Sequence, residues 1–89
     1  MSEKIWSDDA CSDYLYWQSQ DKKTLKHINQ LITDIERNGC AYGIGNPEPL
    51  KGSLQGEYSR RINEKDCLVY HMENDRIYIA HCREHYNDK

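Results

Sequence analysis

The sequence predicts a small α+β domain in which a helical hairpin packs on one face of a twisted, mostly antiparallel sheet. Two observations predict this class. An amphipathic helical pattern fills much of the first half of the 89-residue chain, and strand-like runs rich in Ile, Val and Tyr fill the last third. With a short first strand, the element order becomes β-α-α-β-β-β. We expect one domain over residues 1–89, because so short a chain supports only one core.

The predicted elements begin with a short strand from Lys4 to Trp6, after which Ser7 caps a helix that ends near Gln18. The apolar positions of this helix are Ala10, Cys11, Tyr14, Leu15 and Trp17. Asp21 caps a second helix, which stops at Asn38-Gly39. Its apolar residues recur at three- and four-residue steps and predict one buried stripe: Leu25, Ile28, Leu31, Ile32 and Ile35. The short polar turn between the helices predicts an antiparallel hairpin.

The segment from Cys40 to Gly56 is rich in glycine, proline and asparagine, which predicts a long loop. A loop of this length in so small a domain favours a functional role. Three strand-like runs follow over residues 57–62, 67–73 and 76–84, and their short polar turns predict an antiparallel meander. The helices cover only one face of this sheet. We therefore expect a ligand to bind the bare face.

Composition narrows the class of protein further. A net charge of −3 and a pI of about 5.7 count against a protein that binds free nucleic acid through a basic surface. No apolar run approaches the ~20 residues of a membrane span, and the N-terminus lacks a signal-peptide pattern. The four cysteines form no C-x-x-C pair, and a ligand set of His81, Cys82 and His85 is disfavoured. We expect a cytoplasmic protein with reduced thiols and no metal or other cofactor.

Three segments carry side chains suited to cutting RNA without a metal. They are Pro47-Glu48-Pro49-Leu50-Lys51, Ser59-Arg60-Arg61-Ile62 and Arg83-Glu84-His85-Tyr86. Together they supply a carboxylate, fixed cations, an imidazole and a phenol, so one group can remove a proton while another donates one. Strand alternation puts Arg60 and Arg61 on opposite faces, so at most one lines the bare face. Alternation also groups Arg83 with His85, as a phosphate clamp or as a charge that lowers the proton affinity of the imidazole.

These ordered motifs resemble the YoeB-type toxins of the RelE superfamily, the ribosome-dependent mRNA interferases of bacterial toxin–antitoxin pairs. The similarity runs nearly end to end. Besides the three segments above, it includes Ile5-Trp6-Ser7, residues 13–18, residues 26–31, Leu54, Gly56, Leu68-Val69-Tyr70 and Cys82. The resemblance implies the same fold as the one predicted from the pattern of elements, a small sheet with an N-terminal helical hairpin.

The resemblance also implies a role for each matching residue. Glu48 matches the general base, His85 the general acid, and Tyr86 the terminal aromatic that orients the substrate or stacks on a base. Lys51 and Arg61 match cations that contact the phosphate. The implied activity is endonucleolytic cleavage of mRNA in the ribosomal A site, without a cofactor. The implied partners are a YefM- or Phd-like antitoxin, the ribosome and its mRNA, and operator DNA through the antitoxin alone. A homodimer is a further possible assembly, and the sequence leaves the choice between monomer and dimer open.

Cys67 departs from the family pattern, which places an arginine immediately before Leu-Val-Tyr. A cysteine carries no fixed positive charge, and loss of one preorganised cation costs about 10²–10³ in rate. Either another cation fills the place, with Lys65 two residues earlier as the candidate, or the chain is an attenuated toxin. One alternative is a catalytically weak protein that binds antitoxin and acts as a co-repressor. A ParE-like gyrase inhibitor is less favoured, because such toxins lack the acid–base set.

Overall fold

The computed structural model describes residues 3–83, and it confirms the predicted α+β class. The elements are β1 Glu3–Trp6, α1 Asp8–Gln20, α2 Lys22–Asn38, β2 Glu48–Pro49, a 3-10 turn Gly52–Leu54, β3 Tyr58–Arg61, β4 Cys67–Glu73 and β5 Arg76–His81. The strands form one sheet in the order β1-β5-β4-β3-β2. All neighbouring strands are antiparallel except β1 and β5, which are parallel.

The helical hairpin is tight because one residue serves both helices. The backbone N–H of Asp21 donates to Trp17 O at 2.9 Å, which extends α1 to Gln20 rather than to the predicted Gln18. The Asp21 carboxylate then accepts from the backbone N–H groups of Lys23 and Thr24 and so caps α2. At the start of α1, the Ser7 hydroxyl accepts from Ala10 N at 3.0 Å. Both caps agree with the sequence prediction.

The core lies between the hairpin and one face of the sheet. Of the five residues in the predicted stripe of α2, Leu25 is half-buried. The other four are buried: Ile28, Leu31, Ile32 and Ile35. Only part of the apolar pattern in α1 is buried, because Cys11 and Leu15 are exposed. These two lie outside the helix face that carries Ala10 and Trp17, which pack into the core.

The segment from Cys40 to Gly56, predicted as a long loop, contains a short strand and a 3-10 turn that the sequence did not predict. Glu48 and Pro49 form β2 and pair antiparallel with Ser59 and Tyr58 of β3. The pairing is compatible with proline because β2 lies at the edge of the sheet, where one side needs no N–H donor. The 3-10 turn that follows lines a cavity of about 410 Å³ together with the sheet face opposite the helices. The face opposite the helices is therefore only partly bare.

Candidate active site

Strand pairing brings predicted site residues to the sheet face opposite the helices. Arg61 of β3 is the direct cross-strand partner of Cys67 in β4, and Glu48 of β2 is the partner of Ser59. Successive side chains in a strand alternate between faces. Leu68 belongs to the core under the helices, so Cys67 and its partner Arg61 face the other way. We call this side of the sheet the open face.

The two adjacent arginines have opposite environments, as their alternation predicts. Arg60 is fully buried on the helix side, where its guanidinium contacts Asp34 of α2. Arg61 is exposed. Arg61 is therefore the arginine of this pair that a phosphate on the open face can reach.

Glu48 and Cys67 lie within electrostatic reach of each other. Burial raises the pKa of the Cys67 thiol, Arg61 lowers it, and the charge of Glu48 raises it. Burial has the largest effect, so the thiol is neutral at pH 7 and offers a phosphate no charge of either sign. Glu48 itself is exposed on the edge strand between Pro47 and Pro49. Its backbone is thus held while its carboxylate stays accessible.

The two candidate lysines lie at opposite ends of β3. Lys51 is exposed and directly precedes the 3-10 turn that lies along the open face. Lys65 is exposed in the turn that joins β3 to β4. The Asn63 side chain shapes that turn by accepting from the backbone N–H groups of Lys65 and Asp66, each at 2.8 Å. The turn fixes where the stem of Lys65 starts, two residues before Cys67.

Arg83 lies beside α1. Its guanidinium carbon sits 3.6 Å from the centroid of the Tyr16 ring, which is a close cation–π contact. Neither sequence-based role for Arg83, phosphate clamp or neighbour of the imidazole, is tested by this contact. His85 and Tyr86, the predicted acid and terminal aromatic, lie outside the described residues.

Two side chains of α1 hold the backbone just before that C-terminal segment. Trp17 Nε1 donates to Cys82 O at 2.8 Å, and Cys82 N donates to the Asp13 carboxylate at 3.1 Å. Burial raises the pKa of Asp13 despite this bond. The Cys82 side chain is buried in the core, where desolvation raises the pKa of its thiol to about 12. A thiol in this environment is a poor metal ligand, since metals bind the thiolate.

Sequence reasoning missed two side-chain clusters. The first is the set of bonds around Arg60, for which the glycines at 39, 43 and 45 were a signal of close backbone approach. The second lines the cavity on the open face, where the rings of His71 and Tyr78 stack with their centroids 4.7 Å apart. His71 Nδ1 lies 2.6 Å from the Glu57 carboxylate.

Within residues 3–83, no group of three His, Cys, Asp or Glu side chains is arranged to hold a metal. Neither described helix is long and apolar enough to cross a membrane.

Comparison with known proteins gives consistent matches over nearly the whole chain. The family model of YoeB-like toxins of bacterial type II toxin–antitoxin systems matches residues 6–86. Toxin YoeB of Escherichia coli K12 is 51% identical over 82 residues, covering 92% of this chain and 96% of that protein. Toxin YoeB of Streptomyces coelicolor is 47% identical over 74 residues, covering 83% of this chain and 87% of that protein.

Solved structures of two kinds match the fold, close relatives and one distant one. A YoeB–YefM complex from Staphylococcus aureus gives a TM-score of 0.91 at 46% identity, covering 97% of this chain and 99% of that one. A YoeB dimer from the same organism gives 0.90 at 48% identity, covering 96% and 98%. YafQ of E. coli, at only 16% identity, shares the fold with a TM-score of 0.70, covering 94% of this chain and 93% of that one.

A helical hairpin on one face of a small mixed sheet, an architecture shared with these structures, is the RelE-like toxin fold. Sequence identity near 50% over almost the full length narrows the class to one family. The chain belongs to the YoeB-like toxins of bacterial type II toxin–antitoxin systems.

Proposed function

We propose that this toxin is an endoribonuclease that cleaves mRNA in the ribosomal A site by general acid–base catalysis. One observation carries the proposal. In a chain of the YoeB-like family, Glu48 stands on the edge strand next to the strand that presents Arg61 to the open face. A carboxylate beside a fixed cation suits removal of a proton next to a bound phosphate.

In the proposed reaction, Glu48 takes the proton of a ribose 2′-hydroxyl, and the resulting oxygen attacks the adjacent phosphorus in line. The bond from phosphorus to the 5′-oxygen breaks, and His85 donates its proton to that oxygen. The products are a 2′,3′-cyclic phosphate, which water opens to a 3′-phosphate, and a 5′-hydroxyl end. Each positioned proton transfer contributes about 10²–10⁴ in rate, so the mechanism requires no metal.

The cations and the terminal phenol have separate roles in this proposal. Lys51 and Arg61 hold the phosphate, and Tyr86 positions the nucleotide. Arg83 is a further candidate phosphate clamp, and its guanidinium lies over the Tyr16 ring in a cation–π contact worth about 0.5–2 kcal/mol. Lys65 is the candidate substitute for the family arginine, because its turn leads directly into Cys67. Cleavage unchanged by Lys65→Ala would remove it from that role.

The proposed partners follow from the charge of the chain and from the solved relatives. With a net charge of −3, the toxin is poorly suited to gripping free RNA, so we propose that the ribosome presents the mRNA and supplies much of the positioning. Solved relatives are YoeB–YefM complexes and a YoeB dimer. For this chain we propose a cognate YefM-like antitoxin that blocks the toxin, contact with operator DNA through that antitoxin, a homodimer, and action in the cytoplasm.

A second candidate function is favoured by Cys67, whose thiol is buried and neutral where the family pattern places an arginine. In this alternative the chain binds its antitoxin and helps repress the operon, but cleaves mRNA only weakly. The alternative is supported by the match of the fold to a chain of a YoeB–YefM complex over 97% of this chain.

The deciding experiment is an mRNA cleavage assay on programmed ribosomes, with the native chain beside Cys67→Arg. Cleavage by both at the A-site codon supports the nuclease and shows that another cation acts near Cys67. Cleavage by Cys67→Arg alone supports the disarmed, antitoxin-binding toxin. Cleavage by neither refutes the nuclease, and a DNA gyrase supercoiling assay then tests the ParE-like alternative.

A further inference from the structure

The guanidinium of Arg60 binds a single loop, residues 39–46, which we call the arginine-bound loop. Its Nη2 donates to Gly39 O at 2.8 Å and to Tyr42 O at 2.7 Å. Its Nη1 donates to Ile44 O at 3.0 Å. The side chain is completely buried, so water does not compete with the carbonyl oxygens for the guanidinium N–H groups. Three backbone carbonyls spread over six residues thus share one rigid donor group.

Two further side chains complete the hold on this loop. The Asp34 carboxylate accepts from Arg60 Nη1 and, at 3.0 Å, from the backbone N–H of Ile44. The Tyr70 hydroxyl accepts from Arg60 Nε at 2.9 Å and donates to Cys40 O at 2.6 Å. A buried charge is costly unless it is paired and hydrogen-bonded, and here every partner either belongs to the loop or also binds it.

The loop can approach Arg60 this closely because of its glycines. Gly43 and Gly45 have positive φ angles of 124° and 81°. A side-chain carbon at Gly43 would collide with the Asp34 carboxylate, and one at Gly45 would press on Leu31 and Arg60. The loop therefore has glycine, which lacks a side chain, at the two positions where its backbone packs closely on the Asp34–Arg60 ion pair and its neighbours.

The arginine-bound loop leads directly into the site. Only Asn46 and Pro47 separate Gly45 from Glu48, and proline fixes part of that short connection. The backbone N–H of Arg61 also donates to Gly45 O at 2.7 Å. Because β2 is only two residues long, its pairing with β3 is a weak hold on Glu48 by itself. The loop supplies the second hold.

We propose that Arg60 is a positioning residue for Glu48. It fixes the arginine-bound loop from the helix side of the sheet, and the loop sets the position of the carboxylate relative to Arg61 on the open face. This inference rests on the proposed function, in which Glu48 is the general base. Arg60 itself touches no substrate.

The test uses Arg60→Lys, which keeps a positive charge but cannot bind the separated carbonyls together. Ribosome-dependent cleavage is measured in the native and Cys67→Arg backgrounds, as kcat and KM for programmed ribosomes and as a function of pH. The matched control is Lys4→Met. It breaks the 3.0 Å ion pair between Lys4 and Glu36, which also joins a strand to α2 but at the opposite edge of the sheet. Thermal unfolding measures the folded fraction of each variant at the assay temperature.

We expect kcat of Arg60→Lys to fall about 10²-fold, with KM little changed, because a displacement of roughly 1 Å costs that much. The rise of the parent rate with pH on the acidic side, which reports ionisation of the base, should flatten as in Glu48→Gln. Lys4→Met should keep the parent kcat and pH profile. If Arg60→Lys does not fold, Tyr70→Phe removes one hydroxyl from the same set of bonds and should shift kcat in the same direction.

Two outcomes overturn the inference alone: a folded Arg60→Lys with the parent kcat and pH profile, or a loss of rate that only follows the unfolded fraction. In either case Glu48→Gln would still lower kcat by about 10²–10⁴. Absence of cleavage by the parent in both backgrounds is a different result. It refutes the proposed nuclease function, and the positioning role falls with it.

Discussion

Arg61 and Cys67 stand directly opposite each other on β3 and β4. The Cβ atoms of such cross-strand partners lie about 4.5–5.5 Å apart, so a cation at position 67 would share one phosphate with Arg61. In this chain the position holds a buried thiol with a raised pKa. At this cross-strand pair the open face therefore has one arginine, Arg61, where the resemblance implies two.

This pairing predicts the effect of restoring the family residue. Cys67→Arg should raise the rate of ribosome-dependent cleavage by about 10²–10³, because it adds a preorganised cation beside Arg61. Cys67→Met adds bulk at the same place without charge and serves as the control. An equal gain from Cys67→Met, measured in the same assay, would show that the charge is not responsible.

Glu48→Gln should lower kcat by about 10²–10⁴ while the protein remains folded, since an amide keeps the shape of the side chain but accepts no proton. Glu64→Gln, in the exposed turn before β4, changes the net charge equally and should leave kcat unaltered. The comparison is made under single-turnover conditions. Equal rates for the two variants would remove Glu48 from its role as the base.

Asp34 should make the free energy of unfolding depend on pH in the acidic range. Its hydrogen bond from Arg60 holds the pKa of the carboxyl below its ordinary value. The folded state therefore gains stability that is complete above the unfolded pKa of about 4 and is lost as pH falls through the lower, folded-state pKa.

Replacing this carboxylate should reveal the same contribution directly. Asp34→Asn leaves the buried Arg60 guanidinium without its anion and should lower the free energy of unfolding by about 3 kcal/mol at pH 7. Urea titrations at pH 7 and near pH 3 measure the difference, which should shrink at the lower pH. A difference that stays constant with pH would show that Asp34 does not titrate with folding.

Trp17 anchors the end of β5 through its bond to Cys82 O. Trp17→Phe leaves this buried carbonyl without a donor and should destabilise the fold by about 1–3 kcal/mol, with a further loss from the smaller ring. Tyr42→Phe, which alters a ring that is 75% exposed, is the control and should change stability by less than about 0.5 kcal/mol. Thermal and urea unfolding of both variants provide the measurement.

The thiols should differ sharply in reactivity. Cys11 is exposed, whereas Cys82 is buried with its pKa raised to about 12. At pH 8 only roughly one Cys82 in 10⁴ is a thiolate, so iodoacetamide should label Cys11 first and Cys82 only after unfolding. Mass spectrometry of timed samples, with and without urea, gives the order. Rapid labelling of native Cys82 would contradict the packing of β5 against α1.

Local sequence signals predicted much of the fold. The caps at Ser7 and Asp21 and the period of the apolar residues in α2 depend only on neighbours within a turn or two of helix, and all are observed. The opposite environments of Arg60 and Arg61 follow from strand alternation alone. The motif order was sufficient to find the family, which the comparisons establish.

Other features depend on contacts between distant parts of the chain, and no local pattern contains them. Only the tertiary structure puts β1 beside β5, pairs Glu48 with Ser59, and places Arg60 against the carbonyls of Gly39 and Tyr42. A strand of two residues is too short to show an alternating pattern. The sequence also does not distinguish an arginine that will be buried from one that will be exposed. By itself the sequence determined where the helices lie, that the side chains of Arg60 and Arg61 occupy opposite sides of the sheet, and which family the chain belongs to. The tertiary structure decided how the loop before Glu48 is held, because that hold is made by side chains from a helix and two other strands.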